Sequence, residues 1–176
     1  MGKITKISRE VLLYGLVFFL ISWGINLWRS PPLSREHLPP LSGYLIDGNS
    51  TDFFLSGNRP KLLHFWGSWC PICRAEASNI QWIGKHYPVL TVAVQSGDDR
   101  TIRSWMKKHN LSYPVQNDPE GRLAKQLHLS VYPTTLIYDG RGRLRFIATG
   151  YTTRLGLWAR MKWVELRYNT QGASEQ

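Results

Sequence analysis

The chain has 176 residues, 43% of them hydrophobic and 12% aromatic, with 22 Lys and Arg against 12 Asp and Glu for a formal charge of +10. That is one ordinary domain with some attachment, and so much apolar side chain excludes a disordered chain. From residue 30 onward, 18 basic residues stand against 11 acidic ones, scattered except for Arg141, Arg143 and Arg145, so a solvated basic surface is expected rather than a nucleic-acid partner.

Residues 11–28 (VLLYGLVFFLISWGINLW) carry no charge, and as a helix they would rise ~27 Å against a hydrocarbon core of ~30 Å. Lys3, Lys6 and Arg9 precede this run and are opposed only by Glu10, which places the N-terminus in the cytoplasm despite Arg29 on the far side. Residues 1–29 therefore read as a cytoplasmic start and a single transmembrane anchor. A cleaved signal peptide is the competing reading, but its apolar region runs only ~7 to 15 residues and no A-x-A-like site follows here. Everything beyond the anchor is then exported, which in a bacterium means the periplasmic face of the inner membrane. Residues 30–42 (SPPLSREHLPPLS) hold Pro31, Pro32, Pro39 and Pro40 and read as a semi-rigid spacer. Residues 43–170 form the domain, and 171–176 read as a polar tail.

Within the domain, short apolar runs alternate with helical patterns. Strands are expected at residues 61–66 (KLLHFW), 89–95 (VLTVAVQ) and 113–116, and helices at 71–85, 100–110 and 119–128. Residues 134–138 and 144–148 flank Asp139-Gly140-Arg141-Gly142 as a hairpin. Residues 154–168 close the domain as a helix with Leu157, Met161, Val164 and Tyr168 on one face. The order β-α-β-α-β-α-β-β-α is an α/β signature with a central sheet flanked by helices.

Only two cysteines are present, three positions apart, in Trp66-Gly67-Ser68-Trp69-Cys70-Pro71-Ile72-Cys73 at a strand-helix junction. A cysteine at a helix N-cap meets unpaired amides and the positive end of the macrodipole, both of which stabilise a thiolate. Cys70 is thus the attacking thiol, and Pro71 suits the first helical position, where no amide donor is needed. Cys73, one turn in, is the resolving thiol. A structural zinc site wants four ligands where this motif supplies two, and His64, His86, His109 and His128 lack ligand spacing, so no metal is expected. Two thiolates do suit Cu(I), which leaves copper binding as a reading of another class, although Met1, Met106 and Met161 form no supporting cluster.

W-x-x-W-C-P-x-C followed by Arg74-Ala75-Glu76, with Tyr132-Pro133-Thr134-Thr135 sixty residues on, resembles the membrane-anchored thioredoxin-like proteins of bacteria. These include the TlpA and ResA type, the reductants of cytochrome c maturation and, nearest, the suppressor-of-copper-sensitivity protein D group. The resemblance covers about residues 43–165 and implies a thioredoxin-like fold with a mixed sheet. The long gap from Cys73 to Pro133 resembles a TlpA-type insertion, either around residues 113–128 or in the helix that precedes them.

The resemblance further implies that Pro133 is cis and faces the cysteine pair, with Tyr132 offering its backbone to an extended substrate. Trp66 and Trp69 would pack around the turn, Trp69 also giving an apolar docking surface. Supporting roles fall to Glu76, on the helical face of Cys73, and to His64, where thioredoxin has a buried acid. The bland alternatives are an exposed surface carboxylate and a hydrogen-bonded core histidine. Arg74 adds a positive charge near the thiolates, or is merely solvent-facing.

The implied activity is disulfide exchange with periplasmic protein thiols or disulfides, without an external cofactor, and as a reductant recharged by a membrane reductase. Copper or redox stress tolerance is the implied setting. Reduction of haem-site cysteines in cytochrome c maturation is the alternative, weakened by Thr134 where that group has an acid after the cis proline.

Overall fold

The computed structural model describes residues 13–17, 41, 43–55 and 57–169. Residues 1–31 and 32–176 form two separate units, and in the first residues 13–17 are helical. Among the described residues no helix is long and apolar enough to cross a membrane. Apart from residues 13–17 and Leu41, the anchor expected over 1–29, the spacer over 30–42 and the tail over 171–176 lie outside the described residues.

Five strands build the sheet: β1 (Lys61–Trp66), β2 (Val89–Val94), β3 (Val115–Asp118), β4 (Thr134–Tyr138) and β5 (Leu144–Thr149). Their order is β3-β2-β1-β4-β5, with β1, β2 and β3 mutually parallel, β4 antiparallel to β1 and β5 antiparallel to β4. The sheet is mixed, as expected, and β1 lies at its centre, which is why Lys61–Trp66 is buried along its whole length. Alternation along β1 sends Leu62 and Trp66 into one core layer and Leu63 and Phe65 into the other.

The helices are α1 (Asp52–Leu55), α2 (Pro71–Gly84), α3 (Asp99–Lys108), α4 (Arg122–Gln126) and α5 (Arg154–Val164). Ile80 and Ile83 of α2, Ile102 and Met106 of α3, and Leu157, Met161 and Val164 of α5 join the Leu62 layer. Ala124 of α4 and Phe54 of α1 join the Leu63 layer, with Leu41 and Leu45.

The element order from β1 onward is the one expected, and the differences lie at boundaries. The strand expected over 113–116 is shifted to Val115–Asp118, beyond Pro114, and closes on Leu45 through a bridge to Gln116. The helix expected over 119–128 shrinks to α4, because Gly121 takes a left-handed φ of 67° and buried Asp118 accepts the N–H groups of Leu123 and Ala124 at 3.3 and 3.0 Å. Asn110 (φ 53°) and Gln95 (φ 47°) likewise end α3 and β2 before the expected residues. The last helix stays α only to Val164 and finishes as a π turn, Glu165–Asn169. Of the two segments that the resemblance marks for an insertion, residues 113–128 supply β3, an edge strand beside β2, and α4.

Candidate active site

The turn leaving β1 is tied to the end of β2 by side chains. Ser68 donates its N–H to Ser96 Oγ at 2.9 Å, Ser96 donates to the Val94 carbonyl at 3.0 Å, and Trp69 Nε1 donates to the same carbonyl at 3.2 Å. Gly67 is required here, since a Cβ would lie 2.5 Å from the Trp69 ring. Trp66, by contrast, is a core residue, with its ring 4.7 Å from that of Trp105.

This turn delivers Cys70 to the N-cap of α2 in an extended conformation, followed by Pro71 at the first helical position. The backbone N–H of Cys73 points at Cys70 Sγ from 3.1 Å, and the two cysteines are joined as a disulfide. Cys70 and Cys73 are 5% and 2% exposed, so the asymmetry between them rests on that amide rather than on exposure.

The Tyr132-Pro133 peptide bond is cis, as the resemblance implied. The Tyr132 carbonyl lies 3.8 Å from Cys70 Sγ, and the Pro133 carbonyl accepts the Gly150 N–H at 2.8 Å. Trp69 is 54% exposed, with its ring edge-on to that of Tyr132 at 5.8 Å. An apolar surface thus borders the disulfide on the side of Trp69 and Tyr132. Arg74 is exposed.

Glu76 is not the exposed carboxylate of the alternative reading. It is wholly buried, its Oε1 accepts the Thr152 N–H at 3.1 Å, and Oε2 has no hydrogen-bond partner among the described residues. Burial pushes its carboxyl up to about 8, against a smaller downward pull from the Thr152 N–H. A group with that acidity one turn beyond Cys73 is suited to proton exchange near neutral pH.

His64 sits in the middle of β1, fully buried, with Nδ1 2.9 Å from Thr135 Oγ1. Burial pulls the imidazole down to about 3, so it is neutral at physiological pH. Its surroundings are those of the hydrogen-bonded core histidine in the bland alternative.

Sequence reading did not single out Asn79, whose Nδ2 donates to the Thr152 carbonyl at 3.1 Å and to Tyr151 Oη at 3.3 Å. Its signal was a polar residue between Ala77 and Ile80 on the buried side of α2. Ser96 was missed too, for want of any local pattern. Among the described residues no three His, Cys, Asp or Glu side chains gather as a metal cluster.

The residues from 44 to 147 match the sequence model of the AhpC/TSA family. The chain belongs to that family. It is 30% identical to a thioredoxin-like protein of Haemophilus influenzae, over 93% of this chain and 98% of that one. It is 27% identical to the sporulation thiol-disulfide oxidoreductase A of Bacillus subtilis, over 83% of this chain and 92% of the relative. Among solved structures, the exposed lipoprotein thioredoxin of Streptococcus pneumoniae superimposes with a TM-score of 0.58 at 27% identity, covering 68% of this chain and 96% of that one. The fold is thioredoxin-like, and this member of the AhpC/TSA family is an oxidoreductase of the thioredoxin-like kind.

Proposed function

We propose that the chain is a membrane-tethered periplasmic thiol-disulfide oxidoreductase that works as a reductant through Cys70 and Cys73. The observation that carries this reading is the Cys73 N–H aimed at Cys70 Sγ from 3.1 Å at the start of α2. It stabilises a thiolate on Cys70 and on no other residue of the motif.

In the dithiol form, the Cys70 thiolate attacks a substrate disulfide. A mixed disulfide forms and the substrate's second sulfur leaves as a thiol, taking a proton. Cys73 gives up its proton to the ionised Glu76 carboxylate, its sulfur attacks Cys70 Sγ, and the substrate sulfur that leaves takes that proton back from Glu76. The Cys70–Cys73 disulfide closes and the reduced substrate departs, two electrons having passed from enzyme to substrate. Pro133 and Tyr132 dock the polypeptide, Trp69 flanks it, and no bound cofactor enters the cycle.

The reducing direction follows from what stabilises the thiolate. Strongly oxidising pairs hold the reduced form down with additional positive charge near Cys70, whereas the intervening residues here are Pro71 and Ile72. A membrane dithiol reductase would return the electrons. Residues 1–29 would anchor the protein in the bacterial inner membrane, 30–42 would act as spacer, and 43–170 would carry the site. The motif's resemblance to the suppressor-of-copper-sensitivity protein D group supports a role in copper or redox stress tolerance.

The test is the reduction potential from equilibration with glutathione buffers, together with the in-cell redox state. A potential well below that of strong periplasmic oxidants and a dithiol form in cells are expected. A potential in the oxidant range, with the disulfide persisting in cells, would refute the direction of electron flow.

A further inference from the structure

A helix on the surface of a domain needs one apolar side, for the core, and α5 has two. Leu157, Met161 and Val164 fill the core. Leu155, Ala159 and Trp163, four residues apart, form an exposed row on the opposite side, because two positions of helix turn the chain by about 200°. Leu155 is 73% and Trp163 48% exposed, and the π turn continues the apolar surface with Leu166 at 68%. Trp158 borders the row and is also exposed. The Trp163 ring is held in place, standing edge-on to Phe146 of β5 at 5.3 Å and to Tyr168 at 5.5 Å, with the Arg145 guanidinium over the Tyr168 ring at 3.6 Å.

Basic side chains flank this row. By helical rotation Arg154 falls on one side of it and Arg160 on the other, and Arg167 stands in the π turn. Glu165 is the one acid between residues 154 and 169, and Lys162 is paired with it at 2.7 Å. Among the described residues Arg154, Arg160 and Arg167 meet no carboxylate, so their charge is left to an outside partner. A second copy of this face would bring like charges together. An anionic lipid surface supplies the complementary charge and takes up Leu and Trp at its headgroup boundary. Arginine stems can lie along the apolar row while their guanidinium groups meet phosphate. On the membrane-tethered reading, residues 30–42 hold the domain within about 40 Å of the lipid, at ~3.1 Å per residue.

We infer that the outward face of α5, centred on Leu155, Ala159 and Trp163, lies on the surface of an anionic phospholipid bilayer. The inference rests on the tethered reading and gives the domain a contact with the membrane beyond its tether.

The experiment places the full chain, with the Cys70–Cys73 disulfide intact, in vesicles of phosphatidylcholine alone or mixed with phosphatidylglycerol. A nitroxide is carried by Ala159→Cys, or by Ser104→Cys on exposed α3 as a control, and its collisions with a water-soluble nickel reagent are measured. Nickel access at position 159 should fall about fivefold or more when phosphatidylglycerol is present, the effect of one well-placed basic group, and stay unchanged at position 104. Adding Arg154→Glu with Arg167→Glu, or separately Leu155→Ser, should restore access at 159. Equal access at 159 in both vesicles, while the chain floats with them, would overturn the lipid contact and leave the tether intact. Protection at 159 that grows with protein concentration in either lipid would overturn it in favour of a second copy. A chain that floats with neither vesicle would overturn the tether and this contact together.

Discussion

Glu76 Oε1 accepts the backbone N–H of Thr152 at 3.1 Å, while Oε2 of the same carboxyl is enclosed with no hydrogen-bond partner among the described residues. One bond cannot offset the burial of the charge, which is why the group titrates at about 8 against an ordinary 4.5. Between those values the folded protein binds a proton that the unfolded chain has lost. The contribution of this group to stability is therefore greatest below 4.5 and falls as pH rises towards 8, by up to about 5 kcal/mol at roughly 1.4 kcal/mol per unit. Glu76→Gln imitates the protonated form, so its stability should change little over that window. Urea unfolding of the disulfide-bonded protein at pH 5 and pH 8 checks this: equal slopes in both proteins would count against it.

His64 has the opposite linkage. Its folded value, about 3, lies below the ordinary 6.5, so it contributes stability that is complete above 6.5 and is lost as pH falls from there towards 3. The imidazole nitrogen shifts should stay constant from pH 8 down to pH 5, and a transition near 6.5 would contradict the burial argument. Thr135→Val, which removes the partner of Nδ1, should cost about 1 to 3 kcal/mol.

Asp118 joins β3 to α4 by accepting two N–H groups at the start of a helix of only five residues. Asp118→Ala should cost about 1 to 2 kcal/mol, with faster amide exchange at Leu123 and Ala124 but not in β1 or β4. Uniform acceleration through the sheet would show that Asp118 supports the whole core rather than this helix.

The parts of the fold written in local pattern were legible in advance. Lys61–Trp66 is an apolar run ended by Gly67, and Pro71 marks the first residue of α2, so the strand, the helix and the cysteine pair at their junction could be placed from sequence. The end of α4 could not, because it depends on Asp118 turning inward to cap amides, and an Asp before Pro119 reads equally well as a surface turn. Glu76 illustrates the same limit. Its helical position relative to Cys73 is a matter of spacing, but its burial is created by Thr152, which arrives seventy-six residues later. Asn79 was overlooked for that reason too, since both of its partners belong to the distant 150–153 segment. Tertiary contacts of this kind leave only a polar residue on an inward face as their trace.

The most direct test of the central claim is which cysteine reacts first. Reduced protein treated briefly with iodoacetamide at mildly acidic pH and digested should carry the label on Cys70, because only its sulfur receives the Cys73 amide. In cells, Cys73→Ser should then accumulate mixed disulfides through Cys70, and Cys70→Ser should not. Label found first on Cys73, or mixed disulfides trapped by Cys70→Ser instead, would contradict the account.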